Sequence, residues 1–329
     1  MSVAATGLEA QQVFDAERGA TQTHPWVKRI ARLLAISTFP LIWLGGLVTT
    51  YDAGMAVPDW PGTYGYNLFV YPWQAWLYGP FDLFVEHGHR LLASFVGLVA
   101  IVFVVSAYRF EARPLIRRLA WLCLATVIFQ GILGGARVLM DARTVAMIHG
   151  CLGPAFFALC VVTVVHCSDI RRWSEVGVWS RWFVRFAVAT TIVSYLQLTI
   201  GAQLRHILPG ASPKFFTTMV HLHLTFAAMV LLSATILAAA GLREPNRYLR
   251  RPALFLVGLV IVQILLGIGT WIVNYALPWS DLAPDLSAYI VHAKGYWESM
   301  IITMHQATGS LIIAVAILTA TRGWLLSTK

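Results

Sequence analysis

Apolar residues run along this chain in eight blocks, each close to the roughly 20 residues that an α-helix needs to cross a bilayer. They predict spans at 30–50, 87–107, 115–137, 146–166, 182–201, 218–240, 252–275 and 300–322. A helix packed on a soluble core turns a polar face to water at every turn, and these stretches mostly do not. The connections alternate in character. On one side they are short and Arg-rich, as at Arg243–Arg251, whereas two on the other side, 51–85 and 276–299, are long and rich in Pro, Trp and Tyr. Trp and Tyr favour the headgroup zone, so these two loops are expected to lie on the membrane as lids. The predicted fold class is all-α and integral to the membrane, with eight transmembrane helices.

Comparing the blocks exposes a repeat. Odd-numbered helices end with a Gly four residues after a fixed point: Leu41 and Gly45, Gln130 and Gly134, Gln197 and Gly201, Gln263 and Gly267. Even-numbered helices begin, at the same membrane face, with a His followed four residues later by Ala or Gly: His89 and Ala93, His149 and Gly153, His223 and Ala227, His305 and Gly309. The unit is a helical hairpin used four times, and two hairpins make a four-helix half. The expected organisation is a tail at 1–29 and two tandem pseudo-symmetric four-helix bundles, 30–166 and 182–322. Small residues at these places let helix backbones approach, or leave space for a flat ligand beside the histidine ring.

Composition agrees with the membrane reading: 58% of the 329 residues are hydrophobic and 12% charged, against about a quarter charged in soluble domains. A net charge of +9 raises the question of nucleic acid, but its distribution answers it. With the N-terminus in the cytoplasm, 18 of the 24 Lys and Arg fall in inner segments and six in outer ones. That bias puts both termini inside and assigns the basic residues to topology and anionic lipid, with no nucleic acid as partner. Residues 1–28 carry Glu9, Asp15 and Glu17 and lack an apolar core, so they read neither as a secretory signal nor as a transit peptide. Cys123, Cys151, Cys160 and Cys167 lie within or at the inner end of helices, without a CxxC pair, which argues against both a disulfide and zinc.

The chemistry gathers at the outer face. Of ten histidines, His87, His89, His149, His206, His221, His223, His292 and His305 fall there, and only His24 and His166 lie inside. An isolated membrane histidine is usually a polar side chain paired with a neighbour. One histidine at the same level of every even helix is different, because it supplies two facing pairs. Neutral imidazoles on opposite helices are what axial ligation of heme iron requires, whereas zinc favours a tighter tetrahedral cluster. His87 and His221 precede His89 and His223 by two residues and point to the opposite side of the helix, so the spacing to the small residue selects His89 and His223. Glu86 shares a helix face with His89, where the other repeats have Ala146, Val220 and Ile302. A carboxylate there is either a partner of the helix dipole or a group with a task at the first histidine pair. The asymmetry suggests one electron-transfer site and one chemistry site.

These motifs resemble the heme A synthase family. Glu86-His-Gly-His89-Arg90 looks like that family's Glu-x-x-His-Arg signature. The likeness extends through Gly45–Thr50, Gly54–Pro61, Gln130–Gly135 with His149, and Met304–Ser310, across residues 30 to 322. It implies an inner-membrane enzyme that oxidises a porphyrin methyl of heme O to the formyl of heme A for cytochrome oxidase. It makes His223 and His305 ligands of a heme b cofactor, His89 and His149 the substrate-heme site, and Glu86 the catalytic residue. Heme O synthase and cytochrome oxidase assembly proteins are the partners it implies besides heme O and the lipid bilayer, and it leaves room for a homo-oligomer. Many bacterial members carry a cysteine pair in the first outer loop; here Val57 and Thr63 stand at about those places, so that loop has no redox role. A di-heme b-type electron-transfer protein uses the same four histidines without needing Glu86. A repeat-built transporter fits less well, because its site belongs at mid-membrane beside broken helices.

A reporter fused after Lys329 is expected to register as cytoplasmic; an external signal would overturn the topology and the clustering of histidines at the outer face.

Overall fold

The computed structural model describes residues 23–168, 181–208, 210–275 and 295–327. Most of the tail 1–29, most of the loop 276–299 with His292, part of the Arg-rich segment after His166 and Lys329 lie outside the described residues. Among the described residues eight helices are long and apolar enough to cross a membrane, and the protein is a multi-pass membrane protein. They are α1 (Pro25–Thr50), α2 (Phe81–Phe110), α3 (Pro114–Leu139), α4 (Arg143–His166), α5 (Arg181–Arg205), α6 (Pro213–Leu242), α7 (Arg247–Tyr275) and α8 (Tyr296–Ser327).

Each helix outruns its apolar block. Hydropathy marks only the hydrocarbon-facing part, while the helix continues through the headgroup zone: the 30 residues of α2 reach about 45 Å at 1.5 Å per residue. Local signals set the starts. Pro25, Pro114 and Pro213 occupy first turns, where a missing N–H costs nothing. Ser212 caps α6 by accepting from the Phe215 N–H at 3.2 Å. One consequence concerns Glu86. The first turn of α2 holds Asp82, and Glu86 lies a turn deeper, fully buried. It is therefore no terminal partner of the helix dipole, whose effect fades within the first turn.

Two apolar clusters hold the helices together. Leu34 of α1, Phe103 of α2, Ile116 of α3 and Phe156 of α4 meet in one. Phe183 of α5, Leu237 of α6, Leu256 of α7 and Ile312 of α8 meet in the other. Ile42, Phe157 and Ala314 join α1, α4 and α8 across the seam between them. Lipid is as apolar as these side chains, so close van der Waals contact has to drive the packing, and small residues supply it. A Cβ on Gly323 of α8 would stand 3.0 Å from Val184 of α5, and one on Gly46 of α1 would stand 3.0 Å from Thr303 of α8.

Candidate functional site

The repeat becomes contact. A Cβ on Gly45 would lie 3.0 Å from the Cε1 of His89, one on Gly134 3.3 Å from His149, one on Gly201 2.9 Å from His223, and one on Gly267 3.0 Å from His305. Each odd helix thus gives up a side chain so that the imidazole of the next helix can lie against its backbone. The expectation that these glycines leave space for a ligand needs correcting: the ring itself fills the space. The second small residue has its own tenant. A Cβ on Gly153 would meet the Gln130 amide at 3.6 Å, and one on Gly309 the Gln263 amide at 3.4 Å.

The fixed points of the repeat are equally physical. His305 Nδ1 faces the backbone carbonyl of Gln263 at 3.2 Å. The same carbonyl of Leu41, Gln130 or Gln197 neighbours the ring of His89, His149 or His223, though without closing a hydrogen bond to Nδ1. A carbonyl beside Nδ1 favours the tautomer with the lone pair on Nε2. In the second pair the Nε2 of His223 and of His305 faces the side-chain amide nitrogen of Gln197 and Gln263 at 3.3 and 3.5 Å, a contact that a bound metal would replace.

Across each set of four helices the rings face in pairs. His89 and His149 have centroids 6.5 Å apart at 84°, and His223 and His305 have centroids 6.4 Å apart at 64°. Two metal–imidazole bonds of about 2 Å each, plus the distance from nitrogen to ring centre on both sides, come to about this separation. The buried polar atoms without a hydrogen-bond partner collect here as well: Nδ1 of His89, His149 and His223, and Oε1 of Gln130, Gln197 and Gln263. Inside a membrane protein such groups are costly unless a ligand or water serves them. Among the described residues no three His, Cys, Asp or Glu cluster tightly enough to hold a metal ion. The donor set is two separate pairs of neutral imidazoles, which fits heme iron better than zinc.

Glu86 is pinned from three sides. Its Oε2 accepts from the Val57 N–H at 3.0 Å, its Oε1 pairs with Arg90 at 2.8 Å, and Arg137 stands 3.7 Å away. Arg90 also donates to the carbonyls of Asp59, Gly62 and Val57 at 2.7 to 2.8 Å. The loop after α1 is therefore drawn down onto the start of α2. Its other ties are Thr63 to His87 Nδ1 at 2.9 Å and Asp59, which accepts from the N–H groups of Tyr64 and Gly65. Burial opposes the ionised Asp59 carboxyl, but those two N–H groups and Arg90 outweigh it and hold it below the usual carboxylate range. Gly54 and Gly135 permit the closure: a Cβ on Gly54 would overlap Arg137, and one on Gly135 would stand 2.5 Å from the Trp60 ring.

His87 is buried under this loop against Tyr71 and Trp76, away from the pairs, and His221 is exposed. Sequence reasoning missed the arginines. Arg205, at the end of α5, donates to the Gly46 carbonyl and the Thr50 hydroxyl of α1 at 2.8 and 2.7 Å. Arg137 lies within electrostatic reach of His89 and His149, and Arg205 of His305. His206, in the turn after α5, is pushed down to about 4 by burial and by Arg205, Arg137 and Arg143, so it is neutral at pH 7. Four arginines, Arg90, Arg137, Arg143 and Arg205, gathered at the histidine end of the helices were the available signal.

Fold and site define a class: a multi-pass helical membrane protein that presents two facing pairs of histidines at one end of its helices. The chain belongs to the cytochrome oxidase assembly protein family, whose COX15-CtaA model matches residues 28–220. That match takes in Glu86, His89 and His149 and stops short of His223 and His305. Among curated proteins it is similar to the heme A synthase of Shouchella clausii (strain KSM-K16), 25% identical over 188 residues, covering 56% of this chain and 60% of that protein. It is also 26% identical over 142 residues to the heme A synthase of Shewanella oneidensis (strain MR-1), covering 38% of this chain and 40% of the relative. The chain thus spans less than two thirds of each of these relatives.

The Gly–His contacts make a selective prediction. Gly201→Val should push the His223 ring off its place and abolish heme absorption attributable to the second pair. Gly258→Ala, where a Cβ meets nothing within 4 Å, should leave both the spectrum and the melting temperature unchanged. Equal spectra for the two variants would show that ring seating is not what the glycine provides.

Proposed function

We propose that the protein is a heme A synthase, an oxidoreductase that converts a porphyrin methyl of heme O to the formyl of heme A. The observation that carries the reading is the combination of two facing imidazole pairs with a single buried carboxylate one turn from the first pair. In this reading residues 30–166 form the substrate half and 182–322 the cofactor half. His89 and His149 hold heme O, and His223 and His305 are the axial ligands of heme b. The protein sits in the cell membrane with both termini cytoplasmic and the histidine end outside, where it works beside heme O synthase and cytochrome oxidase assembly proteins.

When bound, the cofactor heme supplies one-electron transfer. The chain's own groups do the rest. Turning a methyl into a formyl removes protons and electrons and adds one oxygen, so the first site needs a proton acceptor. Glu86 is suited to that role, or to orienting water, because Arg90, Arg137 and the Val57 N–H fix its oxygens. Those contacts also hold the loop after α1 against the start of α2, beside the first pair's helices. Arg90 is a positioning residue, tying the carboxylate and three loop carbonyls into one unit.

Glu86 also anchors the loop, so the decisive variant keeps its shape. Glu86→Gln preserves size and one acceptor oxygen but loses the charge. It should lower heme A formation roughly a hundredfold or more, with heme O and partly oxidised porphyrin accumulating, while the low-spin absorption of the second pair persists. Extracted hemes separated by chromatography give the readout. Near-normal heme A in Glu86→Gln would reduce Glu86 to a loop anchor and favour a di-heme electron-transfer protein.

A further inference from the structure

Arg205 is a cation without an anion. It closes α5, half-buried against α1, and among the described residues no carboxylate stands within salt-bridge distance of it. Its two hydrogen bonds, to the Gly46 carbonyl and the Thr50 hydroxyl, go to neutral partners and engage Nη2 alone, so the Nη1 and Nε donors of the fork remain. Beyond the C-terminal dipole of α5 itself, the described surroundings offer no carboxylate. Arg137 and Arg143 share its corner around His206, and the carboxylate at this end of α2, Glu86, is already taken by Arg90 at 2.8 Å and faces Arg137 at 3.7 Å. A guanidinium held in low dielectric with only neutral partners is expensive, and proteins keep one where an anion completes it.

The second observation is position. Arg205 lies within electrostatic reach of His305, and it stands one turn after Gly201, on the face of α5 against which the His223 ring lies. A porphyrin of the heme class is apolar except for its two propionate side chains. The planar fork of an arginine matches a carboxylate and binds it with two parallel N–H donors.

Resting on the reading that a porphyrin sits at each histidine pair, we propose that Arg205 is the carboxylate anchor of the porphyrin held by His223 and His305. The hydrogen bonds to Gly46 and Thr50 make α1 part of that anchor. The first set of four helices thereby helps to bind the ligand of the second.

The test uses the full-length chain carrying His89→Ala, to isolate the second pair, purified from a heme-deficient host. It is titrated with iron protoporphyrin IX and, separately, with the dimethyl ester of the same porphyrin, whose carboxylates are masked. Low-spin absorption reports binding. The free acid should bind roughly ten- to hundredfold tighter than the ester, the range of one charge-assisted hydrogen bond. Arg205→Gln should erase that preference by weakening the acid and leaving the ester unchanged, and Arg205→Lys should keep part of it. Equal binding of acid and ester with Arg205 in place overturns the proposal, and this arm stands even if Arg205→Gln does not fold. So does a preference that survives Arg205→Gln, or equal weakening of both porphyrins, which would make Arg205 only a tie between α5 and α1. If neither porphyrin binds with Arg205 in place, the porphyrin reading of the site falls, and the anchor with it.

Discussion

Everything at the active end depends on one close approach: the imidazole of an even helix lying on the bare backbone of the odd helix before it. It occurs at Gly45, Gly134, Gly201 and Gly267, where an added Cβ would stand 2.9 to 3.3 Å from the ring and the ring would have to give way. Within each hairpin the approach sets how near the helices come at this end. It also lays each ring beside a backbone carbonyl, which favours the neutral tautomer with Nε2 available. With the hairpins packed two by two, the rings are left facing each other about one metal atom apart.

The apolar interior and the polar end divide the labour. The clusters around Phe103 and around Leu237 and Leu256 hold the helices by dense apolar packing. The polar end holds buried groups whose bonds are incomplete within the chain. In water such a cluster hydrates; at membrane depth it is costly unless a ligand or water completes it, and the proposed ligand follows from the chemistry of these groups. Two facing imidazole pairs suit a metal with two axial positions, and a guanidinium whose hydrogen-bond partners are all neutral suits a carboxylate. Glu86, by contrast, is complete within the chain, and its contacts hold the loop after α1 onto the start of α2.

Much of this was legible in the sequence, and the rest was not for identifiable reasons. The eight spans follow from hydropathy, and the choice of His89 over His87 follows from helical geometry. The partners of His87 confirm that its ring belongs to the loop. What periodicity cannot reach is contact between segments far apart in the chain. Nothing local to Val57 predicts that its N–H meets Glu86, or that Arg90 gathers three loop carbonyls. The helices' extension beyond their apolar blocks was equally hidden, so Glu86 read as a residue at the helix end and not one turn inside it. Arg90, Arg137, Arg143 and Arg205 were in plain view among the six outer cations. Counting charges to orient the protein treated them as the minority, although they are the ones that converge on the site.

The central claim is that each imidazole pair clamps one iron, and the electron cryomicroscopy map of the heme-loaded protein tests it most directly. The account predicts iron density midway between His223 and His305, bonded through Nε2 on both sides, with Nδ1 of His305 still on the Gln263 carbonyl. A porphyrin bound through His221, or through one histidine of the pair with the other turned away, would contradict it.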